Sequence, residues 1–283
     1  MLKKSKYLQH YNFKSAKQGK QNLCKNCSSS DNNEIRSYIY GKHPVLMAIL
    51  HKKRELKKLF VTDRTIKIFE KFIQQNSIIL PKNLKIEKVN NKYITSLTSK
   101  NAVHQGFLLE CSSTPKLSLN TFLNSIQTDM KKLPNILILD EITDPHNIGA
   151  IIRSASAFEF ENIIITEKNS PKDSSIISKS SAGMVETVNL IQVTNLNSTI
   201  KELKEIGYWI IGLDSSAKQN INETEFKNIA LITGSEGKGI KELVKKNCDI
   251  LVKIPMSNKV ESLNASVATG IALYELNKIK KWK

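Results

Sequence analysis

The chain has 283 residues, 40% hydrophobic and 24% charged, the proportions of an ordinary globular protein with room for one or two domains. No apolar stretch approaches membrane-spanning length and no apolar segment follows the start, so neither a membrane protein nor a secreted one is expected. The formal net charge of +17 favours a polyanionic partner, with nucleic acid or a membrane surface as candidates against plain solubility in a lysine-rich chain.

Residues 1–33 are rich in Lys, Asn, Gln and Ser, with Asp31 as the first acidic residue, and read as a disordered basic tail. Cys24-x-x-Cys27 falls in this tail without the second pair that a zinc site needs, and no metal is expected. Four scattered cysteines fit a reduced, cytoplasmic compartment. Residues 34–112 read as a small α/β domain. It has a helix over Val45–Leu50 that Pro44 can open, strands at Lys57–Thr62, Leu84–Val89 and Gly106–Cys111, and a helix over Ile66–Gln75. His43 and His104 lie in basic, polar settings and read as surface or RNA-facing groups, not as metal ligands. Residues 113–133 read as a linker around a weak helical stretch, Leu117–Ile126.

Residues 134–283 have a different pattern. Pro134-Asn135-Ile136-Leu137-Ile138-Leu139-Asp140 is almost wholly apolar, as are Ile163–Ile165, Val188–Ile191, Trp209–Leu213, Ile229–Thr233 and Ile250–Ile254. Helical stretches separate them at 149–158, 197–206 and 240–246. Continuous apolar strands alternating with helices predict a parallel sheet buried on both faces. Ligands of such sheets sit beyond the carboxyl ends of the strands. Three loops qualify: 140–149, 233–240, and 255–264, at whose end Ser262 and Asn264 stand where a last helix begins.

Gly234-Ser235-Glu236-Gly237-Lys238-Gly239 is not a nucleoside-triphosphate loop, because Lys238 is followed by Gly239 and Ile240, and its spacing is not the G-x-G-x-x-G dinucleotide fingerprint either. Its glycines permit close backbone approach; a plain tight turn would explain them but not Glu236 between them. Arg153 is the only arginine after Arg64 in a chain that otherwise uses lysine. Retaining it suggests a need for the planar two-pronged fork toward phosphate or carboxylate, with a structural ion pair as the alternative.

Asn147-x-Gly149-x-x-x-Arg153, Gly234-x-Glu236-Gly237-x-Gly239 and Ile254-Pro255-Met256 followed by Ser262-Leu263-Asn264-x-Ser266-x-Ala268 occur in this order. Together they resemble the three motifs of the SpoU/TrmH family of RNA ribose 2′-O-methyltransferases, in the SPOUT superfamily. Ser37 to Val45 resembles the opening of the small RNA-binding domain, similar to ribosomal protein L30e, of the family's rRNA guanosine-2′-O-methyltransferase branch. The resemblance implies S-adenosylmethionine as methyl donor, a deep trefoil knot in the C-terminal domain, and a homodimer acting on RNA, rRNA ahead of tRNA, with guanosine as the base. It implies a catalytic cluster of Asn147, Arg153, Glu236, Ser262 and Asn264, and cofactor contacts from Leu213, Gly234, Ile254 and Leu263. Asn258 replaces the glycine usual in the third motif, a substitution that asparagine's tolerance of left-handed backbone suits. A tRNA-directed enzyme of the same family and a non-catalytic RNA-binding assembly factor are the competing readings.

Overall fold

Apolar strands alternating with helices build two separate sheets, one in each of two units, Met1–Thr114 and Pro115–Lys283. The computed structural model describes residues 14–15, 37–99, 101–126, 133–167, 174–223, 227–257 and 259–278.

The first unit runs β1 (Lys14–Ser15), β2 (Ser37–Tyr40), α1 (Lys42–His51), β3 (Leu56–Val61), α2 (Asp63–Gln75), β4 (Lys85–Lys88), α3 (Asn91–Leu97) and β5 (Phe107–Cys111). Its sheet order is β1-β4-β3-β5-β2, with β4 parallel to β1 and β3, and β5 antiparallel to β3 and β2. Ile39, Ile49, Leu59, Phe69, Ile73 and Leu109 are fully buried at its centre. Helix α2 starts three residues before the expected Ile66. The Thr62 N–H donates to Thr65 Oγ1 at 2.8 Å, a local cap that extends the helix back to Asp63. Strand β1 lies inside the stretch expected to be disordered; the rest of residues 1–33, Cys24 and Cys27 included, is outside the described residues. His43 is exposed, as expected. His104 is not an open surface group: Nδ1 accepts from the Gly106 N–H at 3.0 Å and Nε2 meets Thr95 Oγ1 at 3.1 Å. It holds the turn at Gln105 and Gly106, whose φ values are 52° and 76°.

The second unit runs β6 (Leu117–Ser118), α4 (Leu119–Ile126), β7 (Ile136–Asp140), α5 (Pro145–Ala157), β8 (Asn162–Thr166), α6 (Ser174–Ser180), β9 (Asn189–Val193), α7 (Leu196–Ile206), β10 (Trp209–Leu213), β11 (Gln219–Asn220), β12 (Ile229–Gly234), α8 (Glu242–Lys246), β13 (Ile250–Lys253) and α9 (Ala265–Asn277). All pairings are parallel, in the order β11-β13-β10-β12-β7-β8-β9-β6. Side chains alternate between faces along each strand. Leu137, Leu139, Ile163, Ile211 and Leu231 pack with α5 and α9. Ile136, Ile138, Ile164, Ile210, Ala230 and Ile232 pack in a second core with α4, α7 and α8. Burial on both faces is why these strands read as unbroken apolar runs.

The stretch read as a linker is partly structured. Strand β6 pairs with β9, and Phe122 and Leu123 of α4 are buried in the second core. Helix α4 falls within the weak helical stretch expected at Leu117–Ile126; β6 escapes pattern reading because two residues are too few to alternate. Among the described residues no helix is long and apolar enough to cross a membrane.

The strand order fixes the site. Strands β13, β10, β12 and β7 are successive neighbours and all parallel, so Lys253, Leu213, Gly234 and Asp140 end at one edge. The three candidate loops therefore leave the sheet side by side, although more than 100 residues separate the first from the last.

Candidate active site

The first loop is set by Asp144. Its carboxylate accepts from the N–H groups of His146 (3.1 Å) and Asn147 (3.3 Å), capping α5, and Pro145 occupies the first helical position. The helix thus begins four residues before the expected Gly149 and carries Asn147 in its first turn. Gly149 is an α5–α6 contact: a Cβ there would lie 2.5 Å from Ser180 Cβ.

The second loop folds back on itself. The Gly239 N–H donates to Ser235 O at 2.9 Å, and Gly237 and Gly239 hold φ values of 88° and 65°. A Cβ on Gly234 would stand 2.0 Å from the carbonyl carbon of Gly239, so only glycine allows this closure. Glu236 sits at the resulting tip. At the loop's exit the buried Asp140 carboxylate accepts the Lys241 N–H at 2.9 Å, tying the loop to the end of β7. Burial raises the Asp140 pKa, an effect reduced by that hydrogen bond and by the Lys241 charge.

The third loop delivers Asn264 as the N-cap of α9, and this residue joins the other two. Its Nδ2 donates to Asn147 Oδ1 at 3.2 Å and to Glu236 Oε2 at 3.0 Å. Its Oδ1 accepts from Ser266, from the backbone N–H at 2.9 Å and from Oγ at 2.6 Å. Asn147, Glu236 and Asn264 are thereby brought into one hydrogen-bonded cluster.

Beside Glu236 lies a cavity of about 450 Å³ lined by Leu213, Gly234, Glu236, Ile254, Ser262 and Leu263, together with Asp214, Ser216, Lys245 and Met256. That volume falls within the usual range for small-molecule and cofactor sites, ~300–1,000 Å³. Apolar side chains and charged or hydroxyl groups share its lining. This chemistry fits a ligand that combines a flat heteroaromatic ring, a ribose and a zwitterionic amino-acid tail. Asn147, Arg153 and Asn264 do not line it.

Arg153 stands apart. Six residues beyond Asn147, it is displaced by about 9 Å along α5 and about 240° around it. Its side chain is exposed and pairs with no acidic group among the described residues, which removes the structural ion pair as its explanation within them. Ser262 is exposed and lines the cavity; its hydroxyl bonds to no member of the cluster among the described residues. Asn258 lies outside the described residues.

Sequence reading gave no role to Asp140, Asp214 or Ser266. The first two are strand-terminal acids, and an acid just past an apolar run is a signal worth testing in any parallel sheet. Asp214 accepts from Ser216 N (2.8 Å) and Oγ (2.6 Å) and pairs with Lys245 Nζ at 2.7 Å. Burial pushes its pKa up, but the bonds from Lys245 and Ser216 outweigh that and the net shift is downward. A carboxylate with a depressed folded-state pKa stabilises the fold above its unfolded pKa and loses that contribution as pH falls through the folded value. Asp214→Asn is therefore expected to melt below the parent at pH 7, with the gap closing below about pH 4, as thermal melts across pH would register.

The carboxyl-edge cavity thus lies next to the three-loop polar cluster. Residues 134–274 match the SpoU rRNA methylase family and residues 38–116 match the family described as RNA 2′-O ribose methyltransferase substrate binding. An uncharacterized tRNA/rRNA methyltransferase of Borreliella burgdorferi is 42% identical over 69% of this chain and 88% of its own length. The 23S rRNA (guanosine-2′-O-)-methyltransferase RlmB of Shewanella oneidensis is 40% identical over 66% of this chain and 76% of its own. Among solved structures, the SpoU methyltransferase AviRb of Streptomyces viridochromogenes, in complex with AdoMet, superposes with a TM-score of 0.68 at 19% identity, over 86% of this chain and 89% of that one; it supports the fold. The chain belongs to the SpoU family of S-adenosylmethionine-dependent RNA ribose 2′-O-methyltransferases.

Proposed function

We propose that this protein methylates the ribose 2′-hydroxyl of a guanosine in large-subunit rRNA. The observation that carries the reading is the hydrogen-bonded meeting of Asn147, Glu236 and Asn264, one from each loop, at the rim of the cavity. The rRNA target follows the printed name of the Shewanella relative, and the match of residues 38–116 supports reading the first unit as the RNA substrate-binding domain. Its L30e-like character and a trefoil knot formed by the chain after β13 belong to the same proposal, as does a cytoplasmic location.

Leu213, Gly234, Ile254 and Leu263 hold the cofactor, largely through backbone groups. When bound, S-adenosylmethionine supplies a methyl group on a positively charged sulfur, which leaves as a neutral thioether. Arg153 grips the phosphate next to the target ribose and keeps the hydroxyl in line, so that positioning supplies much of the acceleration. A guanidinium stays protonated in proteins and cannot serve readily as base. Glu236, an exposed carboxylate beside the cavity, takes the hydroxyl proton directly or through a water. Asn147 and Asn264 fix its geometry, and Ser262 orients the substrate at the cavity mouth.

The enzyme acts as a homodimer. Val267, Ile271 and Tyr274 are 50%, 36% and 46% exposed and fall at helical spacing on α9, an apolar stripe suited to a second copy. Arg153, turned away from its own chain's cluster, then serves the shared site. Ile271→Glu is expected to shift the protein from dimer to monomer in sedimentation velocity; an unchanged dimer would place the interface elsewhere.

Transfer of labelled methyl from S-adenosylmethionine to total RNA of cells lacking the protein, followed by nucleoside analysis, tests the reading. A 2′-O-methylguanosine in large-subunit rRNA supports it. Label in tRNA moves the substrate, and no label in any RNA sinks the assignment.

A further inference from the structure

Amide orientation is ordinarily ambiguous, because the nitrogen and oxygen of asparagine are interchangeable in shape. At Asn264 the ambiguity is resolved by a group that can only donate. The Ser266 backbone N–H lies 2.9 Å from one end of the amide, and Ser266 Oγ lies 2.6 Å from the same atom. That end must be the oxygen. The nitrogen then faces Asn147 and Glu236, and two consequences follow. The atom of Asn147 at 3.2 Å must be its oxygen, which leaves the Asn147 nitrogen as the outward-facing group. Glu236 receives an N–H on Oε2 at 3.0 Å, which leaves Oε1 as its uncommitted acceptor within the cluster.

We infer that the start of α9 sets the donor and acceptor polarity of the whole cluster through Ser266 and Asn264, so that Asn147 presents an N–H donor, and Glu236 a carboxylate acceptor, to the target ribose and its phosphate. Ser266 is then a positioning residue of the reaction. This assignment rests on the proposed methyl transfer and adds direction to it. The hydroxyl proton passes to Glu236 Oε1 as the ribose oxygen takes the methyl group, and the Asn147 N–H steadies a ribose or phosphate oxygen. Reversing Asn264 would put its carbonyl against the Glu236 carboxylate and its NH₂ against the start of a helix, and would turn the Asn147 amide over, so one misplaced amide would disable both partners.

The isosteric variant Asn264→Asp separates polarity from packing. It keeps the shape and the cap, because one carboxylate oxygen still accepts from Ser266, but it turns the other oxygen toward Glu236 Oε2 and removes the donor that holds Asn147 Oδ1. Paired carboxylates raise each other's pKa in the folded state. A proton bound by the folded form and not by the unfolded one makes stability rise as pH falls through that raised pKa. Protonation of the introduced carboxylate would also restore a donor toward Glu236. Other titratable groups on the elements that meet here are Asp144 and His146 at the start of α5, Lys238 in the glycine loop and Glu261 before α9; comparison with the parent at each pH cancels their contribution.

The experiment measures methyl transfer to RNA and the melting temperature of the cofactor-free protein for the parent, Asn264→Asp and Asn264→Ala, from pH 8 to pH 5. Asn264→Asp is expected to transfer methyl more slowly than Asn264→Ala at pH 8, to recover relative to the parent as pH falls, and to lose its melting-temperature deficit over the same range. Ser266→Ala is expected to lower kcat several-fold at unchanged cofactor affinity, with Ser266→Thr restoring it. Parent-like transfer by Asn264→Asp, or an Asn264→Asp melting deficit that is the same at every pH, overturns the inference. Absence of transfer by the parent itself counts against the methyltransferase reading, and the melting comparison still decides the polarity.

Discussion

Gly234→Ala is expected to weaken S-adenosylmethionine binding by about 100-fold, as titration calorimetry would measure. The added methyl would meet the carbonyl carbon and oxygen of Gly239 at 2.0 and 2.1 Å and the amide nitrogen of Ile240 at 2.3 Å. All three are backbone atoms, so no side chain can swing away. The loop has to open, and a forced backbone shift of this kind costs about 1–3 kcal/mol, occasionally more. Taken as lost binding energy, the upper figure corresponds to ~100-fold in Kd. The fold should survive. The loop's anchors are the β12 register with β7 and the Asp140–Lys241 hydrogen bond, and both lie outside the turn. Gly237→Ala provides the contrast. Nothing lies within 4 Å of its Cβ, so that substitution carries only the strain of φ 88° and should cost less. Equal affinity for the parent and Gly234→Ala would show that the cavity beside the loop is not where the cofactor sits.

The sheet was legible because burial on two faces leaves a plain mark, and β10 has the bounds that its apolar run suggests. Helix starts were less so. Those of α2 and α5 depend on side-chain caps at Thr62 and Asp144, which precede the apolar periodicity and add nothing to it. Asp144-Pro145 was readable in hindsight, as a capping acid followed by proline at the first position. Strand β6 was hidden by its length, whereas α4 left a weak helical mark. At the site, the residue types in three motifs pointed to a joint role, yet no spacing could say that loops 117 residues apart share a hydrogen bond, as Asn147 and Asn264 do. Strand order supplies that. Placing β12 between β7 and β10 brings together the ends of strands far apart along the chain, and sequence carries almost no record of strand order.

The division of labour inside the site follows from which residues touch the cavity. Six of the nine residues singled out from the motifs line it: Leu213, Gly234, Glu236, Ile254, Ser262 and Leu263. Asn147 and Asn264 reach it only through Glu236, and Arg153 does not join the cluster at all. Substitutions at Leu213, Gly234, Ile254 and Leu263 should therefore register in cofactor affinity. Substitutions at Arg153 should leave that affinity alone and appear only when RNA is present.

Arg153→Lys puts this to the sharpest test. The expected result is a fall in kcat of about 10²-fold, the loss that displacement of a reacting group from its in-line position brings, with S-adenosylmethionine affinity unchanged within about 2-fold, a limit below the ~0.5 kcal/mol spread of ordinary surface substitutions. Lysine keeps the charge but replaces a planar fork by a single ammonium, so it cannot grip two phosphate oxygens in a fixed plane. In a chain whose other positive charges after Arg64 are all lysines, the retained arginine is the one position where that geometry would matter. Because Arg153 is exposed and pairs with no described acidic group, the substitution removes no internal ion pair, and the melting temperature should stay that of the parent. Steady-state methyl transfer with saturating cofactor and RNA reads kcat, and calorimetry without RNA reads affinity. Full activity in Arg153→Lys would mean that charge alone suffices and that the fork has no part in holding the phosphate. Loss of cofactor binding would instead place Arg153 at the cavity, against the face of α5 on which it stands.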